Sequence, residues 1–286
     1  MTALTVAAAQ IACLPGDLQA NLASHLAMIE TARRRGVDLL VFPELSLTDY
    51  LAAPDCAALA MMRDEVTLTL IAKMAGPMTV SVGFIERAQD GRVFNAQALL
   101  AGGKVVAVHR KLNLPGYGSL REDEVYSAGD ALDTVPLAGD WRVATLICAD
   151  SWNPSLPWLA ALSGANLLLQ PVASSLGAVG GGFDNPRCWE INLAHTALTY
   201  GLPIVFANHC GARGDVEFWG GSRILDATGH EQARAGAEPG LVVAMIDLAD
   251  GHAARDTLPT IRDSAPDLIH RLLARQLSRS PDPELS

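Results

Sequence analysis

Val143-Ala144-Thr145-Leu146-Ile147-Cys148-Ala149-Asp150-Ser151-Trp152-Asn153-Pro154 passes from an apolar, β-branched run directly into a turn that carries a thiol. Such a run reads as a buried strand, and Pro154 suits the opening of a helix, so Cys148 sits at a strand end where its sulfur can meet a ligand. Two earlier segments have the same grammar. Val37-Asp38-Leu39-Leu40-Val41-Phe42 reads as a strand that delivers Pro43-Glu44, and Lys104-Val105-Val106-Ala107-Val108-His109-Arg110 reads as a strand that delivers Lys111. A carboxylate, an ammonium and a thiol, each leaving a strand, form a candidate base, oxyanion partner and nucleophile.

The rest of the chain alternates in the same way. A first strand is expected over 5–11. Asp17 then caps a helix whose apolar stripe is Leu18, Leu22, Leu26, Ile29 and Ala32, closed by Arg33-Arg34-Arg35 and Gly36. A second helix is expected over 64–74, followed by strands over 79–86, 93–101 and 104–108 joined by Asp90-Gly91 and Gly102-Gly103 turns. Consecutive hairpins make part of the sheet antiparallel. Beyond Cys148 the pattern predicts a helix over 154–162, a strand over 165–170, a helix over 186–199 and a strand over 204–207. Strands near 222–226 and 241–247 flank an Ala227-Thr228-Gly229 turn. Periodicity alone fits either a doubly wound sheet or two sheets packed face to face with helices outside.

Phe42-Pro43-Glu44-Leu45, His109-Arg110-Lys111-Leu112-Asn113-Leu114-Pro115-Gly116-Tyr117-Gly118 and Leu146-Ile147-Cys148-Ala149-Asp150 resemble the Glu, Lys and Cys signatures of the nitrilase superfamily of carbon–nitrogen hydrolases. The resemblance covers residues 4–248 and implies an α/β fold, the four-layer α-β-β-α sandwich. It places a hydrolase domain over 1–248 and an extension over 249–286, part of the same domain or of a dimer contact. Glu122 falls where many members carry a second active-site glutamate, with Gly129 closing the segment; Glu124 is the alternative. In the implied chemistry Glu44 takes the thiol proton, while Lys111 and the backbone N–H of Ala149 stabilise the oxyanion. Glu122 orients Lys111 or shares its proton, and a small amide loses ammonia to leave an acyl-thioester on Cys148. No cofactor is called for.

The Cys148-Ala149-Asp150-Ser151-Trp152 context, unlike the Cys-Trp-Glu of true nitrilases, moves the reading from nitrile toward amide. Leu114-Pro115-Gly116-Tyr117-Gly118 resembles the amidase and glutaminase-type branches, including the glutaminase domain attached to some NAD synthetases. With no synthetase domain following, a free-standing amidase is expected. An N-carbamoyl amino acid amidohydrolase and a nitrilase are the neighbouring alternatives, with acyl transfer to an amine and a non-catalytic interaction module beyond them. Candidate pocket walls are Tyr50, Trp152, Asn153, Ser174 and Trp219. Arg187 either pairs with a substrate carboxylate or is a solvated first-turn arginine. Cys188-Trp189-Glu190 mimics a nucleophile motif but lies inside an expected helix, so Cys188 and Trp189 read as helix packing. His209 and Cys210 read as core or pocket-wall residues, and the glycines of 177–182 form either a lid or a plain loop.

The chain has 286 residues, half of them apolar and 18% charged, which predicts a large core. A formal charge of −10 argues against nucleic acid or an anionic membrane as partner. Residues 1–12 carry no basic leader, and no apolar run reaches the length of a membrane span. Five cysteines without CxxC spacing suggest a reduced, cytoplasmic compartment, and seven histidines without HxH or HxxxH spacing give no support to a metal site. A homodimer or larger homo-oligomer is expected. A short amphipathic helix is expected over 267–277, with a mobile tail after it.

Overall fold

The computed structural model describes residues 2–279. β1 (Ala3–Gln10) leads through α1 (Leu18–Arg34) to β2 (Leu39–Val41). Asp17 caps α1 by accepting from the Ala20 N–H at 3.0 Å, and Arg33 and Arg34 occupy the last turn, where the helix dipole favours cations. A 3-10 turn (Tyr50–Asp55) and the one-turn α2 (Cys56–Leu59) precede α3 (Val66–Ala75). β3 (Thr79–Arg87), β4 (Val93–Ala101) and β5 (Lys104–Arg110) form a meander, and α4 (Glu122–Val125) crosses to β6 (Thr134–Pro136) and β7 (Arg142–Thr145). Next come a 3-10 turn at Cys148–Trp152, α5 (Ser155–Leu162), β8 (Leu167–Val172), α6 (Asn185–Tyr200) and β9 (Ile204–Asn208). The hairpin of β10 (Cys210–Arg213) and β11 (Val216–Trp219) is followed by β12 (Arg223–Leu225), β13 (Glu231–Arg234) and β14 (Gly240–Asp247). α7 (Leu248–Thr257) and α8 (Pro266–Arg279) close the described chain.

Two six-stranded mixed sheets result, ordered β14-β1-β2-β3-β4-β5 and β13-β12-β9-β8-β7-β6. β1, β2 and β3 run parallel in the first sheet, as do β7, β8 and β9 in the second, and antiparallel strands flank both groups. The period of two along each strand decides the layers. Leu4, Val6 and Ala8 of β1 join Leu39, Val41, Val143, Leu167, Leu169 and Val205 in a core between the sheets. Ala7, Ala9 and Leu40 face the other way, toward the helical layer of α1 and α3, and Leu168, Ile204 and Phe206 face α5 and α6. The sheets therefore pack face to face with helices outside, the nitrilase-superfamily sandwich; the doubly wound alternative is excluded.

No helix among the described residues is long and apolar enough to cross a membrane. All five cysteines are free thiols. α8 extends the expected amphipathic helix to Pro266–Arg279 and buries none of its residues. The end of the expected mobile tail, 280–286, lies outside the described residues.

Candidate active site

The C-terminal ends of β2, β5, β7 and β8 converge, and each delivers one side chain. Glu44 leaves β2 where the chain crosses over β3, and Leu45 beside it has φ +49. A Cβ at Gly83 would collide with the backbone of Pro43 to Leu45, so glycine is required for the crossing. The Glu44 carboxylate is fully buried. Its Oε1 accepts from Asn95 Nδ2 at 2.7 Å and from Lys111 Nζ at 2.6 Å, and its Oε2 accepts from the Ala173 N–H at 2.9 Å. His209 fixes the backbone from behind, its Nε2 lying 2.6 Å from the Glu44 carbonyl oxygen. His209 also belongs to a buried trio with Cys13 and Asp49. Arg213, 2.7 Å from Asp49, supplies the cation there.

Lys111 is pinned by main-chain bonds on both sides, its N–H to Asn95 O at 2.9 Å and its carbonyl from Gly129 N–H at 2.8 Å. Its ammonium reaches Glu122 Oε1 at 2.6 Å as well as Glu44, and Tyr50 donates its hydroxyl to Glu122 Oε1 at 2.8 Å. Burial alone would push Lys111 toward neutrality, but Glu122 and Glu44 outweigh it and hold the ammonium well above its usual range. Burial, reinforced by Glu44 and opposed by Lys111, pushes Glu122 up to about 7. Glu124 points outward beside Arg121, so Glu122 is the second carboxylate at the site.

Cys148 opens its 3-10 turn with φ +45, a left-handed conformation that a side chain adopts only where the surroundings impose it. Asp150 supplies much of that imposition. Its Oδ1 accepts from the N–H groups of Leu112 at 3.0 Å and Asn113 at 2.8 Å, and its Oδ2 from Ile147 N–H at 3.0 Å, with His109 Nε2 at 3.2 Å. One buried carboxylate thus ties the loop after Lys111 to the turn of the thiol. Burial pushes the Cys148 thiol well above its usual range; the Glu44 charge adds to this and Lys111 opposes it. The sulfur is accordingly held as a thiol, which would need a base to act as a nucleophile. Ala149 is the second residue of the 3-10 segment, whose first main-chain bond runs from the Asp150 N–H to the Ile147 carbonyl at 3.0 Å, so the turn itself does not use the Ala149 N–H.

A cavity of about 40 Å³ adjoins the sulfur and is lined by Tyr50, Tyr117, Glu122, Trp152 and Ser174, with Asn185 and Trp189. Wider depressions of about 360 and 560 Å³ lie at the open edge of β5, around Arg63 and Arg110, away from the thiol. Ala178 and Val179 of the glycine-rich loop also line the small cavity, and the Ser119 N–H donates to the Ala178 carbonyl at 2.9 Å.

Of the expected pocket walls, Tyr50, Trp152 and Ser174 are in place. Trp219 stands one layer behind, donating Nε1–H to Ser174 Oγ at 3.0 Å. Asn153 faces away, bonding Asn113 Oδ1 at 3.4 Å and accepting from the Ser155 N–H at 3.1 Å just ahead of α5. Arg187 is solvated and paired with Glu190 at 3.3 Å, outside the cavity, because the first turn of α6 turns it outward. Trp189 corrects the reading of it as packing alone, since it reaches the cavity wall and donates Nε1–H to Ser174 Oγ at 3.1 Å. Asn95, Asp150, Asn185 and Tyr117 join the site beyond the residues that the sequence picks out. The Leu-Ile-Cys-Ala-Asp motif offered a signal for Asp150; Asn95 and Asn185 had none without the sheet register.

A family model described as carbon-nitrogen hydrolase matches residues 5–256. The chain is 32% identical over 235 residues to the glutamine-dependent NAD(+) synthetase of Thermotoga maritima, a match covering 80% of this chain but only 39% of the synthetase. It is 30% identical over 284 residues to the deaminated glutathione amidase of Mus musculus, covering 93% of this chain and 85% of that protein. A point mutant of the amidase from Nesterenkonia sp. AN1, in a structure showing Michael addition of acrylamide at its active-site cysteine, superposes with a TM-score of 0.78. That match has 25% identity and covers 94% of this chain and 99% of that one. The chain belongs to the carbon-nitrogen hydrolase family, the nitrilase superfamily of cysteine-dependent hydrolases.

Proposed function

We propose that the protein hydrolyses a small, linear, uncharged amide to a carboxylic acid and ammonia through an acyl-thioester on Cys148. The observation that carries this reading is the buried Glu44–Lys111–Glu122 group, with both carboxylates 2.6 Å from one ammonium, beside a cysteine kept as a thiol. Glu44 takes the Cys148 proton as sulfur attacks the carbonyl carbon. The oxyanion forms against Lys111 and the Ala149 N–H, and Glu44 returns the proton to the nitrogen as ammonia leaves. Water, deprotonated by Glu44, then attacks the thioester, and the departing sulfur regains its proton. Glu122 acts through Lys111 as a positioning residue.

An uncharged acyl group is favoured because the ammonium of Lys111 is already held by two carboxylates and Arg187 is turned outward. An N-carbamoyl amino acid would bring a carboxylate, and among the described residues no arginine or lysine lines the cavity to receive it. Amidase activity in the relatives named above supports the amide over the nitrile. The test is ammonia release by wild type and Cys148→Ala across aliphatic amides, ω-amide acids, N-carbamoyl amino acids and nitriles, with intact-protein mass recorded during turnover. Ammonia from neutral amides with a transient acyl adduct on wild type alone is expected. Carbon dioxide released alongside ammonia would favour the N-carbamoyl reading.

The reading extends to a hydrolase domain over 1–248, with the extension after it part of the same domain or of a dimer contact, in a reduced cytoplasmic setting. Leu268, Leu272, Leu273 and Leu277 of α8 are exposed, which supports a homodimer or larger homo-oligomer. Sedimentation of Leu272→Glu should show a smaller species than wild type; an unchanged sedimentation coefficient would remove α8 from the interface.

A further inference from the structure

One hydroxyl in the cavity has lost its freedom to accept. Ser174 lies just past the end of β8 and lines the cavity that holds Cys148. Its Oγ accepts from Trp189 Nε1–H at 3.1 Å and from Trp219 Nε1–H at 3.0 Å. An indole nitrogen is a donor only, so both oxygen lone pairs are engaged and the hydroxyl hydrogen remains purely a donor. Among the described residues no side-chain or main-chain oxygen receives it. The frame around it is stiff. The Ser174 N–H donates to Asn208 Oδ1 at 2.9 Å, and its carbonyl accepts from Asn208 Nδ2 at 3.2 Å. Trp189 packs against Trp152 and Phe206, with ring centroids 4.9 and 5.2 Å away, and Trp219 stacks on Phe206 at 5.8 Å.

We infer that Ser174 is a specificity-determining donor and that the substrate class is a short uncharged amide whose acyl chain carries an oxygen acceptor, such as a hydroxyl or ether, in preference to a plain hydrocarbon. The inference rests on the amide reading above. A hydrocarbon acyl group that displaces water from the cavity leaves the buried O–H without a partner, whereas an oxygen at the same point restores the bond. A hydroxyl with a free lone pair would also accept from a donor on the substrate. With both lone pairs engaged by tryptophans, Ser174 discriminates by sign.

The test compares kcat/KM for butyramide, 3-hydroxypropionamide and methoxyacetamide, which have equal numbers of heavy atoms. Wild type is expected to prefer the two oxygen-bearing amides by about tenfold or more. Ser174→Ala should bring that ratio to about one, with butyramide turnover changed far less than that of the oxygen-bearing amides. Trp219→Phe frees one lone pair while keeping the hydroxyl, and it should lower the ratio without abolishing it. This second variant keeps the inference testable if Ser174→Ala, with two indole donors left unpaired, fails to fold. A ratio of about one in wild type, or a Trp219→Phe ratio equal to that of wild type, would overturn the inference. If wild type hydrolyses all three amides alike, only the role of Ser174 falls; if it hydrolyses none of them, the amide reading falls with it.

Discussion

Oε1 of Glu122 stands 2.6 Å from Nζ of Lys111, and Glu44 stands at the same distance on the other side of that ammonium. Lys111 is thus immobilised between two carboxyl groups. Glu122→Gln keeps the shape and a hydrogen bond but removes the ionisable group. With Lys111 less firmly held, turnover of an amide substrate should fall by about 10² in kcat with KM little changed. Ammonia release at saturating substrate checks this, and a kcat within about twofold of wild type would remove Glu122 from the mechanism.

The same carboxyl links acidity to stability. Its folded pKa is pushed up to about 7, mainly by burial, whereas in an unfolded chain a glutamate ionises near ~4.3. Between those values the folded state binds the proton and the unfolded chain does not. The contribution of this group to stability is therefore fully present below the unfolded pKa and lost as pH rises through about 7. Thermal melts at pH 5 and pH 8 should show the Tm of wild type falling relative to that of Glu122→Gln. A constant difference between the two proteins at both pH values would contradict the shift.

Gly83 carries the placement of Glu44. Any side chain there meets the backbone of Pro43 to Leu45, and neither strand has room to retreat because the Leu47 N–H bonds the Gly83 carbonyl at 3.0 Å. Gly83→Ala should cost about 1–3 kcal/mol of stability from overpacking and should lower activity further by displacing the carboxylate. Calorimetry together with ammonia release tests both, and wild-type values in each would mean that the crossing is looser than the contact distances indicate.

Much of the site was legible because its residues follow strands, and strands announce themselves. Leu39–Val41, Lys104–Arg110 and Arg142–Thr145 are largely apolar runs, and Glu44, Lys111 and Cys148 lie within three positions of their ends. The elements missed are those whose local signal is weak. β6, β13 and the β10–β11 hairpin are three or four residues long and include Pro136, Glu231 and Gly211, and tertiary pairing alone makes them strands. Asn95 contacts Glu44 only through the register that sets β4 beside β3 and β5. Trp189 has the spacing of a packing residue, and its indole N–H meets Ser174 only once α6 lies across the second sheet. The left-handed backbone at Cys148 is equally silent in sequence, because no glycine marks it.

The strain at Cys148 is held by a residue two positions away. Asp150 is fully buried, and five donors converge on it, from Ile147, His109, Leu112 and both the backbone and the side chain of Asn113. Burial alone would raise its pKa, yet His109 and the Asn113 N–H outweigh that and keep it below the ordinary carboxylate range, so it stays an acceptor at neutral pH. Asp150→Asn is nearly isosteric but turns one accepting oxygen into an NH₂ that faces N–H groups. Either the Lys111 loop or the thiol turn must then move. Misplacement on that scale should lower kcat by about 10² while KM changes far less, since the cavity wall at Tyr50 and Ser174 is untouched. A merely structural role would lower Tm instead, and kcat measured well below that Tm would return to the wild-type value. Recovery of kcat on cooling would therefore refute the positioning role, whereas a persistent loss with a native circular dichroism spectrum would support it.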